Sequence, residues 1–289
     1  MSIPIDSICI ECHLRKRFAM ARKLATAEQV EAYAKWILRT IADAPADMDS
    51  TWLGAVSDSY MQKEFGLDPD HLKAEKEFSN RFVLERLESI QKKIDSAPDP
   101  IYAALQFSVL GNYLDFSALQ GEVSFDALEK MLDSALELEL DKTCYRQFLA
   151  DLQSGKKLLY ITDNAGEIVF DRLFAELLQK TYPHLEITFC VRGSAVSNDA
   201  TREDAQVAGI TFPVIDNGTA IGGTVLQFVS QEMRDAMDSA DVIFAKGMGN
   251  TETLFGSEYP VYLAFLVKCE RFIHVFNKPK LTPMLIRNG

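Results

Sequence analysis

The chain contains 289 residues, of which 47% are hydrophobic and 25% are charged, a composition that excludes intrinsic disorder. Its formal net charge of −12 makes nucleic acid a poor partner, because an acidic surface repels the phosphate backbone. No apolar run reaches the roughly 20 residues that span a bilayer. The N-terminus also lacks the pattern of a signal peptide. We therefore expect a globular, cytoplasmic protein with no membrane partner.

The first half of the chain has the periodicity of successive helices. Thr26 and Gln29 form a capping-box pattern that predicts a helix over residues 27–42. Other amphipathic segments begin at capping residues or prolines and end near glycine or proline. These further helices are predicted over residues 50–66, 68–97, 99–111 and 124–139. We therefore expect residues 1–154 to form an all-helical N-terminal region.

The second half, residues 155–289, alternates short apolar runs with helical stretches. Strands are predicted over residues 157–162, 185–191, 210–214, 242–245 and 272–276. Helices are predicted between them over residues 166–180, 201–208, 224–239 and 258–268. Strands that alternate with helices indicate an α/β domain with a Rossmann-like, mostly parallel sheet and helices on both faces.

Polar residues follow three of the predicted strands, at the edge where open parallel sheets bind their ligands. These residues are Asp163, Asn164 and Glu167 after the first strand, Arg192, Asn198 and Asp199 after the second, and Lys246 and Asn250 after the fourth. Because the carboxyl ends of parallel strands share one edge of the sheet, we expect these side chains to meet on one rim.

The residue types on this rim favour metal-assisted phosphate chemistry. Asp163, Asn164 and Asp199 offer carboxylate and carboxamide oxygens, which are hard ligands suited to Mg²⁺ or Mn²⁺. An ion held by few protein groups has room for a phosphate oxygen and can polarise the phosphoryl group. Arg192 and Lys246 are placed to neutralise the remaining phosphate charge. The pattern predicts a metal-dependent hydrolase of phosphate monoesters.

Asn198 and Asn250 are expected to orient substrate or metal-bound water, and Glu167 to position a metal ligand. Each motif alone also has a structural explanation. Asp-Asn-Ala-Gly suits a turn or helix cap, and Asn198 with Asp199 suits a helix start. Asp204 is assigned only to a helix N-terminus. The coincidence of three such loops on one rim favours the functional interpretation.

Segments across nearly the whole chain resemble the damage-control phosphatase family, metal-dependent phosphatases long classed as a domain of unknown function. The segments that carry this resemblance are residues 163–171, 191–205 and 245–254, together with the Lys268–Cys269 pair. Cys9 and Cys12, with the stretch over residues 111–116, resemble the branch of the family with an N-terminal Cys-x-x-Cys.

The resemblance implies a helical region packed on a Rossmann-like domain, with a divalent ion bound by Asp163, Asn164 and Asp199. We expect this ion to be Mg²⁺, Mn²⁺, Co²⁺ or Ni²⁺. The implied reaction is hydrolysis of phosphate monoesters of small metabolites, including sugar phosphates and damaged phosphorylated compounds. A phospho-aspartate intermediate and direct attack by water both stay open, as do the physiological substrate and the oligomeric state.

Several residues have two explanations that the sequence leaves open. Asn112 and Asp115 suit a helix C-terminal turn, although the resemblance favours a role lining the pocket. Lys268 either offsets a helix C-terminus or binds phosphate. Cys9 and Cys12 suit a helix start, a zinc site or a redox pair, and the resemblance favours packing near the active site.

Two other functions compete with the phosphatase hypothesis. A methyltransferase-like enzyme also places an acidic loop after its first strand, but the glycine-rich cofactor turn is absent here. A non-catalytic module that binds a nucleotide or sugar phosphate would need the same rim without releasing phosphate.

Overall fold

The computed structural model describes residues 3–114, 129–130 and 132–288. Its first part consists of helices, as predicted. They are α1 (Ser7–Leu24), α2 (Ala27–Ala42), α3 (Ser50–Phe65), α4 (Lys73–Leu84), α5 (Leu87–Asp95), α6 (Pro100–Gly111) and α7 (Lys142–Ser154), with short 3₁₀ turns at Asn112–Leu114 and Ala135–Glu137. Among the described residues, no helix is both long enough and apolar enough to cross a bilayer.

Local capping explains several of these helix boundaries. The capping box of Thr26 and Gln29 is present, and α2 covers the predicted residues. Asp49 caps α3 with its side chain, one residue before the predicted Ser50. The segment predicted as one helix over 68–97 forms two, α4 and α5. Of the helix predicted over 124–139, residues 124–128 and 131 lie outside the described residues, and Ala135–Glu137 form a 3₁₀ turn in place of its last part.

The second part of the chain forms a six-stranded sheet of order β3-β2-β1-β4-β5-β6 in the described residues. The strands are β1 (Lys157–Ile161), β2 (Glu186–Val191), β3 (Val214–Asp216), β4 (Val242–Lys246), β5 (Val261–Leu266) and β6 (Pro283–Arg287). All neighbouring pairs are parallel except β5 and β6. The intervening helices are α8 (Glu167–Thr181), α9 (Arg202–Val207), α10 (Gln231–Ser239), α11 (Gly247–Leu254) and α12 (Glu270–Phe276). The predicted mostly parallel α/β fold is confirmed.

The type of secondary structure predicted for two segments near the C-terminus is wrong. Residues 258–268 were predicted as a helix but contain β5, whereas residues 272–276 were predicted as a strand but belong to α12. Every residue of β5 is buried, so its apolar run lacks the alternation that marks a half-buried strand. In addition, β3 begins only at the last residue of its predicted range, and β6 was not predicted.

The sheet has a hydrophobic core on each face. Along β1, Leu158 and Tyr160 join one core and Leu159 and Ile161 join the other. Buried residues of α4, α5 and α6 belong to the first core together with α8, while α1, α2 and α3 form a separate cluster. The domain boundary near residue 154 stays a prediction.

The order of the strands determines where a ligand can enter. Strand β1 lies at the centre of the sheet, with β2 on one side and β4 on the other, so the chain connections diverge there. In open α/β sheets this divergence leaves a crevice beyond the carboxyl ends of the central strands. Asp163 follows β1 and Lys246 ends β4, so both predicted site residues lie at this crevice.

Candidate active site

The loops that follow β1 and β2 are joined to each other by backbone pairing. Asn164 and Asp199 form an isolated antiparallel bridge. The Ala200 N–H donates to the carbonyl of Asp163 at 2.8 Å. The structure therefore brings together Asp163, Asn164 and Asp199, the three predicted metal ligands, from two crossover loops.

The Asp163 carboxylate is buried among polar side chains. Its Oδ2 accepts hydrogen bonds from Nδ2 of Asn164 at 2.7 Å and from Nδ2 of Asn112 at 2.9 Å. Burial raises the pKa of Asp163 well above its usual value, and the nearby charges of Glu167 and Asp199 raise it further. The cluster is thus an electron-rich pocket that favours a cation.

Gly247, the first residue of α11, makes space for this carboxylate. Its φ is +80°, a conformation that residues with a side chain rarely adopt. A Cβ at this position would overlap the carboxylate of Asp163. The turn from β4 into α11 therefore needs glycine to let the backbone approach Asp163 closely.

Arg192, which directly follows β2, is only 1% exposed and is held at two of its three nitrogens. Its Nε donates to Asp199 Oδ2 at 2.5 Å, and its Nη2 donates to Asn250 Oδ1 at 3.1 Å. Nη1 is buried and has no hydrogen-bond partner among the described residues. The guanidinium is therefore fixed in place with one donor group unused, beside the two ligand loops.

Lys246 has a different environment from the predicted one. Its fully buried Nζ donates to Glu167 Oε1 at 2.6 Å, to Asp171 Oδ1 at 2.9 Å and to the Ser108 carbonyl at 2.9 Å. An ammonium has three donors, and protein oxygens occupy all three. Lys246 therefore has no donor left for a phosphate, and its charge compensates the buried carboxylates instead.

Glu167 connects this ion cluster to the candidate ligands. While Oε1 accepts from Lys246, Oε2 accepts from Nδ2 of Asn164 and Nδ2 of Asn112, both at 3.0 Å. The amide nitrogen of Asn164 is thereby turned toward the carboxylates. The carboxamide oxygen Oδ1 of Asn164 is therefore the atom of this side chain that can bind a cation.

Asn250 is buried and saturated by protein groups. Its Nδ2 donates to the carbonyls of Thr162 and Lys246, and its Oδ1 accepts from Arg192 and from the Thr224 hydroxyl. The expected role of Asn250 in orienting substrate or metal-bound water stays a prediction. Asn250 ties the end of β1 to β4 and positions Arg192.

Three further residues were predicted for the site, namely Asn198, Lys268 and Asp115. Asn198 is half-buried, and its backbone carbonyl accepts from Ala165 N–H at 2.9 Å. The charge of half-buried Lys268 partly offsets the rise in the pKa of Asp163, so this lysine lies near the carboxylate. Asp115 lies outside the described residues.

Cys9 and Cys12 are half-buried free thiols in the first turns of α1. The Cys9 N–H donates to the Asp6 side chain, which caps the helix. Burial raises the pKa of Cys9 to about 12 and keeps this thiol protonated near neutral pH. These contacts favour the helix-start explanation over a zinc or redox site.

Across residues 3–114, 129–130 and 132–288, no group of three or more His, Cys, Asp or Glu side chains has the arrangement of a metal site. Asp163, Asn164 and Asp199 do not form such a group, because the second of the three candidate ligands is an asparagine. Asp171 lies in a segment that carries the family resemblance, but the sequence did not connect it with Ser108, Tyr160 and Lys246, because their proximity arises from packing of α6 and α8 on the sheet.

Comparison with known proteins agrees with the resemblance in the sequence motifs. The family model of the damage-control phosphatase ARMT1-like domain matches residues 5–280. The chain belongs to this family. The narrower placement in a branch with an N-terminal Cys-x-x-Cys stays a prediction.

Among the relatives, an uncharacterized protein of Methanocaldococcus jannaschii is 32% identical over 283 residues, covering 93% of this chain and 90% of the relative. A damage-control phosphatase of Pyrococcus horikoshii is 33% identical over 189 residues, and this alignment covers 64% of each chain. One of Archaeoglobus fulgidus is 32% identical, covering 66% of this chain and 67% of its own.

The fold also has a solved counterpart. The crystal structure of a DUF89 family protein from Pyrococcus horikoshii superposes with a TM-score of 0.84 and covers 99% of both chains at 24% identity. At this level of identity the superposition establishes the shared fold. Membership of the family supports a phosphatase activity for this chain. The roles of individual residues are inferred from the contacts described above.

Proposed function

We propose that this protein is a metal-dependent phosphatase that hydrolyses phosphate monoesters of small metabolites, such as sugar phosphates or damaged phosphorylated compounds. The observation that carries this proposal is the buried Arg192, whose unused Nη1 donor lies next to the paired loops of Asp163 and Asp199. A positively charged hydrogen-bond donor that is fixed beside an oxygen-rich pocket is suited to bind a phosphate between the arginine and the pocket.

The residues on the two loops fit a hard divalent cation. Asp163, Asn164 and Asp199 offer oxygen donors, and the amide nitrogen of Asn164 is already engaged by carboxylates. The charges of Glu167 and Asp199 add to the burial that raises the pKa of Asp163, and a bound cation would offset this repulsion. When bound, Mg²⁺, Mn²⁺, Co²⁺ or Ni²⁺ would polarise a phosphate oxygen and favour nucleophilic attack at phosphorus.

Arg192 would stabilise the charge that develops on the phosphate oxygens. Its Nε and Nη2 bonds hold the guanidinium plane in place before the substrate arrives, so little reorganisation is needed. The bond from Nε to Asp199 also fixes which oxygen of this carboxylate is turned away from the arginine.

The buried cluster of Lys246, Glu167 and Asp171 would act one step further from the substrate. Lys246 pairs with Glu167 and Asp171 and supplies a positive charge inside this buried cluster. Glu167 in turn accepts hydrogen bonds from Asn112 and Asn164 and orients both amides. This is the positioning role expected for Glu167 from the sequence.

A phosphate-release screen across phosphorylated metabolites, repeated with each of the four ions, tests the proposal. We expect metal-dependent release by the wild type and none by Asp163→Asn. The exposed Asp235→Asn on α10 serves as a matched control and should retain full activity. Binding of phosphorylated compounds without release would instead favour the non-catalytic module, and binding of S-adenosylmethionine would favour the methyltransferase-like enzyme.

A further inference from the structure

Through one side chain, helix α4 of the helical region contacts the loop after β1 and the helix that begins after the β2 loop. The amide of Asn80 is 2% exposed. Its Oδ1 accepts from the Gly166 N–H at 2.6 Å, and its Nδ2 donates to Asp204 Oδ1 at 2.9 Å. Gly166 belongs to the loop after β1, and Asp204 lies in the first turn of α9, after the loop that follows β2.

Asp204 has a second contact with the same helix. Its Oδ2 accepts from Lys76 Nζ at 2.8 Å, and both residues are buried. The same oxygen accepts from the N–H and the hydroxyl of Thr201, each at 2.8 Å. The sequence assigned Asp204 only to a helix start. The structure confirms that cap and adds two partners from α4, one for each carboxylate oxygen.

These contacts grip the loops two residues beyond the candidate metal ligands. Gly166 comes two positions after Asn164, and Thr201 comes two positions after Asp199. Gly166 has a φ of +78°, and a Cβ added there would lie 2.8 Å from the Cβ of Ser79 on α4. The backbone of the first loop is therefore pressed against α4 where Asn80 binds it.

We propose that Lys76 and Asn80 are positioning residues that hold the two ligand loops at the separation a divalent cation requires. This inference depends on the metal site of the proposed function. Neither residue touches the candidate ligands, so they would act only through Gly166, Asp204 and Thr201. The helical region would then be part of the metal site and not only a cover for the pocket.

A purely structural role predicts a loss of stability without a specific loss of metal affinity. Asn288 offers a matched control, since it is also a buried asparagine and its side chain bonds Gly256 N–H and the carbonyls of Leu254 and Tyr259. Replacing Asn80 or Asn288 with alanine removes the same side-chain atoms and the hydrogen bonds that they make. Only Asn80→Ala would release the ligand loops.

Calorimetric titration of the full chain with Mn²⁺ alone, paired with thermal unfolding, tests the inference. We expect Asn80→Ala to raise the Kd for Mn²⁺ by about 10- to 100-fold, the usual effect of removing a group that orients a metal ligand. Asn288→Ala should lose stability but keep the wild-type Kd. An unchanged Kd in Asn80→Ala, or an equal rise in both variants, would overturn the inference.

A second comparison at Lys76 does not depend on the folding of the Asn80 variant. Lys76→Arg keeps a cation beside Asp204 and should retain Mn²⁺ affinity, whereas Lys76→Gln removes the charge and should weaken it. Equal affinities for these two variants would count against the role of Lys76. If the wild type and Asp163→Asn both fail to bind any of the four ions, the proposed metal site itself is wrong, which separates the two failures.

Discussion

Asn164 and Asp199 face each other in an isolated antiparallel bridge that joins the loop after β1 to the loop after β2. The bridge converts two separate strand ends into one surface. It places an amide and a carboxylate side by side, next to Asp163 and the buried Arg192. The rim that the sequence predicts is therefore built by backbone hydrogen bonds, which hold the side chains at fixed positions before any ligand binds.

Gly247→Ala tests the space that this arrangement needs. A Cβ would overlap the Asp163 carboxylate, and the φ of +80° adds backbone strain of about 1–3 kcal/mol. We expect loss of phosphatase activity and of Mn²⁺ binding, measured by phosphate release and calorimetry. Gly54→Ala in α3 is the control, since its Cβ would meet its nearest neighbour at an ordinary 3.5 Å. Normal activity in both variants would contradict the close approach at Gly247.

Arg192→Lys tests whether the geometry of the guanidinium matters beyond its charge. Lysine keeps the positive charge, but its three donors share one nitrogen and cannot reproduce the spacing of the guanidinium nitrogens toward Asp199, Asn250 and a phosphate. We expect kcat for phosphate release to fall by about 100- to 1,000-fold, as when one preorganised donor is removed. Arg202→Lys, at an exposed pair with Asp216, should leave kcat unchanged. Wild-type turnover by Arg192→Lys would exclude the proposed role.

Lys246→Met tests the assignment of Lys246 to charge compensation. The substitution leaves Glu167 and Asp171 buried without their cation, which costs about 3–5 kcal/mol in the free energy of unfolding. Lys93→Met removes an exposed pair with Asp133 and should cost at most about 1 kcal/mol. Denaturant unfolding of both variants provides the measurement. Similar losses in the two would show that Lys246 does not compensate a buried cluster.

The sequence predicted the parts of the site that depend on strand order alone. Asp163 and Asn164 follow β1, and Asp199 lies in the loop after β2, so the parallel sheet brings their two loops to the same edge. The role of Lys246 could not be read in this way, because its partners Ser108 and Asp171 come from α6 and α8. Lys76 and Asn80 were not predicted as site residues for the same reason, because their contacts arise only from the packing of α4.

The errors in secondary structure have a similar origin. The buried run Val261–Leu266 is apolar on both faces, and short runs of this kind do not distinguish a central strand from a buried helix. By contrast, α2 was placed correctly because the capping box of Thr26 and Gln29 is a local interaction that needs no tertiary partner.

Glu252 gives the fold a predicted pH dependence outside the metal site. Burial raises the pKa of Glu252 to about 7 in the folded chain, although Ser50 donates two hydrogen bonds to its carboxylate. The folded state therefore binds a proton more tightly than the unfolded state, whose Glu252 has the usual pKa of 4.5. The contribution of Glu252 to stability is present below that pKa and is lost as the pH rises through about 7.

Thermal unfolding of the wild type and Glu252→Gln over this pH range provides the check. The wild type should lose stability relative to the variant as the pH rises from 5 to 8, because glutamine carries no titrating proton. Glu258→Gln, at an exposed glutamate, should follow the wild-type profile. Parallel profiles for the wild type and Glu252→Gln would show that the buried carboxyl does not titrate in this range.

We propose that oxygen atoms of Asp163, Asn164 and Asp199 bind one shared divalent cation. Anomalous scattering from crystals soaked with Mn²⁺ tests it most directly. We predict one strong peak between the paired loops, with oxygen atoms of these three residues at about 2 Å, close to the Nη1 side of Arg192. A peak elsewhere on the chain, or none between these loops at saturating Mn²⁺, would contradict the claim.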